Sequence, residues 1–440
     1  MNVNGTRTRT GHEAVPPSFP RQTDVVIIGG GIVGVTAAIY LAERGIPTVL
    51  CEKGRIAGEQ SSRNWGWIRK TGRDLRELPL MIESARLWAR LAPQLGANIG
   101  YGVRGTTYLA ENEAEFAPHQ AWQEAAKPFQ LDTILLSASQ TDSMLGRSDR
   151  RFAGAIHTPS DATAEPGLAV PAMARHAAKL GVTIVENCAV RLVERANGSV
   201  TGVVTEHGEI SCRAAILAGG VWSRTFLENL GLNFPQLAVK SSVLRTTPAP
   251  EIVPGGLGAT RASVRRRLDG GYTIARSGAA EFQLIPAAFR HFGAFLPVLR
   301  DRWRIMTIKA GRDFFGPLGS ARWNADDETP FERTRVLDPK PDPRLLANVM
   351  EAARGLHPQL ADARPAETWG GMIDVMPDEI PVVDTPSGWQ GLLIASGLSG
   401  HGFGIGPGVG LLAAQITVGE APLVDPAPFA LSRFSRRATA

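Results

Sequence analysis

The sequence predicts an α/β protein in which a parallel-sheet nucleotide-binding domain, built from non-contiguous pieces, carries an inserted sheet-rich α+β domain. Three observations carry this reading. A strand, glycine turn, helix and second strand follow one another over residues 24–52. Short apolar runs of the kind buried on both faces recur at 182–217 and 391–396. Between them, residues 236–365 alternate polar and apolar side chains and are broken by Pro and Gly.

Asp24–Gly29 (DVVIIG) is the first strand, and helical periodicity follows over Val33–Arg44 until Gly45 closes it. Ile46–Glu52 is the second strand. Pro171–Leu180 reads as a helix ended by Gly181. Val182–Glu186, Ala189–Val193 and Val200–Glu206 read as strands, with a turn at His207–Gly208. Ala214–Leu217 runs into Ala218-Gly219-Gly220, and Gly391–Ser396 opens into a glycine-rich loop and a helix at about Pro407–Val418. Gly271–Arg276 is a strand of the middle region. The nucleotide-binding domain is expected over 23–105, 150–235 and 366–440, the inserted domain over 106–149 and 236–365, and a flexible tail over 1–22.

At 440 residues the chain can bury two cores, and 43% hydrophobic with 20% charged residues excludes disordered and fibrous classes. The net charge of +5 is scattered, apart from Arg265–Arg267 and Arg433, Arg436 and Arg437. With no zinc-finger spacing and no basic helix interleaved with aromatics, no nucleic-acid partner is expected. Cys51, Cys188 and Cys212 form no CxxC and lie in or beside strand-like runs, which points to buried thiols in a reducing, cytoplasmic setting. Residues 1–22 lack the roughly 7–15-residue apolar core of a signal peptide. No run reaches the ~18 apolar residues that would span a membrane.

Gly29-Gly30-Gly31-Ile32-Val33-Gly34 satisfies GxGxxG in its required setting, after a strand and opening a helix. Gly29 permits the turn, Gly31 lets backbone approach a pyrophosphate, and Gly34 lets helix and strand pack closely. The helix N-terminus then offers free N–H groups and a positive dipole end to phosphate. Glu52, 18 positions after Gly34 and followed by Lys53, stands where a carboxylate accepts hydrogen bonds from an adenosine ribose and disfavours a 2′-phosphate. The unit is a Rossmann-like dinucleotide fold, and by itself it leaves FAD and NAD open. Arg213–Ser223 (RAAILAGGVWS), with Ala218, Gly219, Gly220 and Trp222, resembles the second FAD motif of flavoprotein oxidoreductases, a strand running into Ala-Gly-Gly, and that resemblance favours FAD. So does Gly397 with Leu398–Gly404 (LSGHGFG), whose backbone N–H groups suit the negative charge of a reduced flavin.

These segments, with Gly58–Gly66 (GEQSSRNWG) and Trp369–Val382 (WGGMIDVMPDEIPV), resemble the D-amino-acid oxidase family, which includes glycine oxidase, sarcosine oxidases and D-amino-acid dehydrogenases. The resemblance covers most of the chain outside the middle domain. It implies FAD against Ser61, Ser62, Arg63 and Asn64, a flavin ring approached by Asn64, Trp65, Gly66 and Trp67, and adenine bound through the backbone of Val190. Gly400, His401, Gly402, Phe403 and Gly404 would complete the flavin loop. The implied reaction is oxidation of a C–N bond by hydride transfer from the α-carbon of a neutral amine to flavin N5, giving an imine that hydrolyses.

Departures from the family pattern narrow the reading. Ile373 stands where glycine oxidase-like members place a carboxylate-binding arginine, and Gly404 where monomeric sarcosine oxidases have a lysine. Gly371 replaces the cysteine that tethers flavin, so FAD is expected to be non-covalent. Arg69 is the preferred replacement anchor, since a guanidinium can grip a carboxylate bidentately; the plain alternative is a surface arginine among Lys70, Arg73 and Arg76. Arg276 and Tyr272 form a second candidate pair. His401 is a candidate beside the flavin, or a satisfied structural histidine. Trp65, Trp67 and Trp369 are cavity wall or simple core, Asp374 is a candidate partner for a cationic amine, and Asp378 a turn residue after Pro377.

The expected function is therefore FAD-dependent oxidation of a D-amino acid, an N-alkyl amino acid or a related secondary amine, with O2 or a quinone-linked acceptor. Two other readings stay open: an NAD-dependent dehydrogenase, and a flavin-bearing subunit of a larger, opine-oxidase-like complex. Partners beyond substrate and acceptor would be a second subunit or further copies of the chain. No metal is expected.

Overall fold

Every residue of strand β1 (Val25–Ile28) is buried, as is every residue of β2 (Thr48–Cys51). Such strands need neighbours on both edges and cover on both faces. In the computed structural model, which describes residues 19–146, 151–302, 306–319 and 322–437, they sit inside a six-stranded sheet. Its order is Val382–Asp384, Leu392–Ser396, Ala214–Leu217, β1, β2, Thr183–Val185. All pairs are parallel except the edge strand Val382–Asp384. Most of the expected tail lies outside the described residues. Within it, Phe19 is buried and Gln22 bridges to Ser211, so the chain is tied down by residue 19 and not first at 23.

Helix α1 (Ile32–Ala42) crosses the sheet against the C-terminal helix Gly402–Val418, which also packs on helix Leu78–Leu91. The contact is nearly backbone to backbone. A Cβ on Gly410 would stand 2.2 Å from Thr36 Oγ1, and the Thr36 hydroxyl lies 3.2 Å from the Gly406 carbonyl. Both this helix and Pro166–Lys179 start about five residues before the prolines at which the sequence places their beginnings. Pro171 removes only the bond to the carbonyl of Gly167, which is solvent-exposed, and so the helix continues through it.

The second sheet is longer and mixed. Its order is Met306–Lys309, Ala280–Gln283, Leu237–Thr246, Tyr272–Ala275, Ser263–Arg266, Gly256–Gly258, Thr106–Ala110, Gly154–Thr158, Ile134–Ser137, with Pro365–Val375 also paired to Leu237–Thr246. This shifts the expected domain edges: residues 154–158 and 366–375, expected in the nucleotide-binding half, pair into this sheet. The physical reason is long-range pairing, Thr106 to Thr158 and Leu237 to Val375, which local pattern does not encode. The expected hairpin at His207–Gly208 joins Ser199–Thr205 to Gly208–Ser211 in a small antiparallel sheet with Val190–Ala196. A short strand, Trp67–Ile68, pairs with Ala162–Thr163.

Candidate active site

A cavity of about 400 Å³ runs from the carboxyl ends of β1 and β2 to the face of the second sheet. At its first end Gly29 adopts φ +112°, and its N–H donates to the Cys51 carbonyl. A Cβ on Gly34 would fall 2.0 Å from the Gly29 carbonyl oxygen, so helix and turn meet as closely as the glycine pattern requires. Glu52 accepts from the Gly30 N–H at 2.7 Å and the Gly54 N–H at 2.8 Å. Burial raises its pKa, and those two donors oppose the rise. No side chain of the N-cap residue Gly31 closes α1; the Ile32 N–H instead donates to Ser61 Oγ at 2.9 Å.

The loop over 58–67 is folded on itself. Asn64 Oδ1 accepts from the Gly66 N–H at 2.8 Å, and its amide reaches the carbonyls of Gln60 and Ser61. From the second sheet, Arg265 donates Nε–H to the Trp65 carbonyl while its other nitrogens pair with Glu165 at 2.9 and 3.1 Å. Glu59 accepts from Trp222 Nε1 at 3.0 Å and from Lys53 Nζ at 2.7 Å. Asp374 is fully occupied: Gln60 Nε2 donates to one oxygen at 2.7 Å, and the Leu398 N–H (2.9 Å) and Gln236 Nε2 (3.2 Å) to the other. It lines the cavity and there ties Gln60, Gln236 and Leu398 together.

The far end of the cavity is rich in guanidinium groups. Arg69 lies 5.5 Å over the Tyr108 ring and donates to the Thr71 carbonyl. Arg73, fully buried, donates Nε–H to the Arg69 carbonyl at 3.1 Å, and its Nη1 stands 3.4 Å from Glu77. Glu77 in turn lies 3.8 Å from His401 Nδ1. Burial lowers the Arg73 pKa to about 10, with Glu77 opposing. Burial, then the charge of Arg73, lowers His401 to about 4, against the pull of Glu77. Arg73 Nη1, Glu77 Oε1 and His401 Nδ1 are buried with no hydrogen-bond partner among the described residues. Arg276, at the end of strand Tyr272–Ala275, faces the same space.

The walls of this cavity include Gly29, Gly31, Ile32, Val33, Glu52, Lys53, Ser61, Arg63, Asn64, Trp65, Trp67, Val190, Ala218, Gly219, Gly220, Trp222, Leu398, Gly400, His401, Gly402 and Phe403, together with Arg69 and Arg276. Six expected site residues stand apart. Tyr272 is buried in the second core, where its hydroxyl donates to the Pro250 carbonyl and accepts from the Ile252 N–H. Gly34 packs on Gly29; Ser62 turns back to the Glu59 carbonyl; Gly66 abuts Ala164; Gly397 is pressed on Met376. Gly404 turns its carbonyl to Ser84 Oγ and Trp88 Nε1. These last five shape the loops without facing the space. Trp369 donates to the Arg63 carbonyl, and Asp378 closes a turn and pairs with Arg433.

Sequence reasoning missed Arg73, Glu77 and Tyr108. Arg73 and Glu77 fall four apart in a basic stretch that reads as a solvated face, and nothing local signals that the turns leading into helix Leu78–Leu91 bury them. The described residues hold no cluster of acids, histidines and cysteines able to bind a metal ion. The three cysteines are free and buried. No described helix is long and apolar enough to cross a membrane.

The cavity fits FAD. It is long, it has a buried acid at one end and an uncapped helix N-terminus beside it, and it ends in a loop of glycine backbone. A family model described as FAD dependent oxidoreductase (DAO) matches residues 24–416. The β subunit of sarcosine oxidase from Rhizobium meliloti is 27% identical over 421 residues, covering 94% of this chain and 88% of that one. Glycine oxidase of Pseudomonas putida is 25% identical, covering 92% and 97%. Among solved structures, the L-amino acid deaminase of Proteus myxofaciens superposes with a TM-score of 0.90 at 30% identity, over 96% of each chain.

Proposed function

The chain belongs to the DAO family of FAD dependent oxidoreductases, and from that premise we propose that it oxidises the C–N bond of an amino acid or N-alkyl amino acid held by its carboxylate. FAD is the cofactor, which sets the NAD reading aside. The Rossmann-like domain, with its inserted sheet-rich domain, is the fold of this family's amino-acid oxidases and deaminases.

One observation carries the substrate class. Arg69 lines the cavity with no acid within ion-pairing distance among the described residues, so it is available to a ligand carboxylate. Bound in the cavity, FAD would supply the acceptor for a hydride, that is two electrons and one proton, from the carbon next to nitrogen. The chain does the rest. Glu52 and the α1 N-terminus hold the adenosine and phosphate end, and the 58–67 loop and Gly400–Gly402 hold the flavin end. With Gly371 in place of a nucleophile, FAD is bound non-covalently. Trp67, Val239, Val243 and Met372 give the cavity an apolar wall that excludes water from the reacting carbon. His401, kept neutral by burial, leaves the carboxylate to the arginines. A D-amino acid, an N-alkyl amino acid or a related secondary amine fits this scheme, and the deaminase neighbour brings L-amino acids into the same panel.

O2 or a quinone-linked compound reoxidises the flavin. Three buried free thiols favour a reducing, cytoplasmic setting. A second reading, the flavin-bearing subunit of a larger assembly, draws on the relative named as a subunit. Anaerobic mixing with amino acids of both hands, N-methyl amino acids and opines tests the proposal. Bleaching by one class supports it; bleaching by dithionite and by no amine would overturn it for the isolated chain. For Arg69→Ala, KM for a carboxylated substrate should rise tenfold or more, while an unchanged KM removes Arg69 from the site.

A further inference from the structure

Beside the main cavity lies a second chamber of about 170 Å³, walled by Trp122, His119 and Ile156. Arg69, Tyr108 and Ser277 line both spaces and form the neck between them. Arg276, adjacent to Ser277, faces the main cavity. Two guanidinium groups therefore line the main cavity, Arg69 from the loop after Trp67–Ile68 and Arg276 from the end of strand Tyr272–Ala275.

Their surroundings differ from those of several other arginines in this protein. Arg191, Arg224, Arg265, Arg335 and Arg433, all buried or half-buried, each have a Glu or Asp partner within ion-pair distance. Arg73 has Glu77. Among the described residues neither Arg69 nor Arg276 has one. The acids nearby are already matched: Glu77 by Arg73, and Asp161 by Lys70 and the Thr71 hydroxyl. A half-buried guanidinium without an anion gains a charge-assisted, bidentate partner when a ligand carboxylate supplies the second half of the pair.

Resting on the function above, we propose that the substrate is a dicarboxylic amine, with one carboxylate on Arg276 in the main cavity and the other on Arg69 at the neck of the second chamber. The amine then lies between two fixed ends, which orients the reacting C–H without a general base. An N-(carboxyalkyl) amino acid and an amino acid with an acidic side chain share this chemistry, and the test separates them.

The holoenzyme is assayed by anaerobic flavin reduction with N-(1-carboxyethyl) amino acids, iminodiacetate, glutamate and aspartate of both hands, sarcosine, alanine and phenylalanine. Binding of oxydiacetate, an ether that carries both carboxylates and cannot form an imine, is followed by calorimetry. Dicarboxylates should exceed matched monocarboxylates at least tenfold in kcat/KM. Arg69→Gln and Arg276→Gln should each weaken oxydiacetate at least tenfold. Equal efficiency for monocarboxylates, or no oxydiacetate binding to the wild type, overturns the two-anchor site while leaving amine oxidation intact. Oxydiacetate binding with no amine able to bleach the flavin does the reverse. If a Gln variant fails to hold FAD, the Lys variant and the wild-type panel still decide.

Discussion

Glu52 and His401 show how burial assigns charge at single positions in this site. Glu52 keeps its place through two backbone donors, and removing it leaves the Gly30 and Gly54 N–H groups without their acceptor. Hydrogen bonds to a charged group are each worth about 1.5–3 kcal/mol. Glu52→Ala should therefore release FAD at least tenfold more readily, read as free flavin fluorescence after dilution. His401 is held at about pKa 4, below the ordinary value of 6.5, by burial and by Arg73. Its native state refuses a proton that the unfolded chain accepts, so its contribution is complete above roughly pH 6.5, is lost as pH falls toward 4, and changes no further below that. Melting temperature measured across this window should fall less steeply for His401→Gln than for the wild type. Equal slopes would show that His401 does not titrate as described.

At the scale of elements, two close approaches that a methyl group would block separate the site itself from the helix packing that supports it. Gly34→Ala places a carbon 2.0 Å from the Gly29 carbonyl oxygen, which is backbone and cannot turn aside. The purified variant should carry markedly less flavin per chain than the wild type. Gly410→Ala intrudes on Thr36 and the Ala37 backbone, far from the flavin-facing walls. Overpacking of this kind costs about 1–3 kcal/mol, so this variant should melt earlier while retaining its flavin. The strand–turn–helix–strand unit was legible because each step has a local cause: apolar runs, a glycine spacing, a terminal acid. The starts of the two proline-containing helices were not, because a proline near the first turn reads equally well as a beginning.

Across the whole molecule, Arg265 joins the two halves. It reaches from the second sheet to Glu165, which precedes helix Pro166–Lys179, and to the carbonyl of Trp65 in the flavin loop. Burial alone would raise the Glu165 pKa, but the hydrogen bond from Arg265 and the nearby Arg267 bring it below its usual value. Breaking such a buried pair costs about 3–5 kcal/mol. Arg265→Leu should lower thermal stability by that order in calorimetry and loosen FAD, whereas a loss below about 1 kcal/mol would mean the pair is not holding the halves together. No local pattern announces this contact, since Arg265 stands in a run of three arginines that reads as a charged surface.

Chemistry that depends on neighbours in sequence was determined by the sequence itself: the phosphate-binding turn, the ribose acid, the strand into Ala218-Gly219-Gly220 and the glycine loop near His401. Each uses backbone geometry within a few residues, so composition and spacing are sufficient. Only the tertiary structure decided which charged side chains line the cavity and which of them already have partners. Arg69, Arg73 and Arg276 look alike in sequence, and so do Asp374 and Tyr272 as candidate partners. Burial, pairing over a hundred residues or more, and the register of the long strand Leu237–Thr246 separate them. They leave Arg73 beside Glu77, Asp374 held by three donors and Tyr272 locked in a core, while Arg69 and Arg276 line the cavity with no acid within ion-pair distance among the described residues.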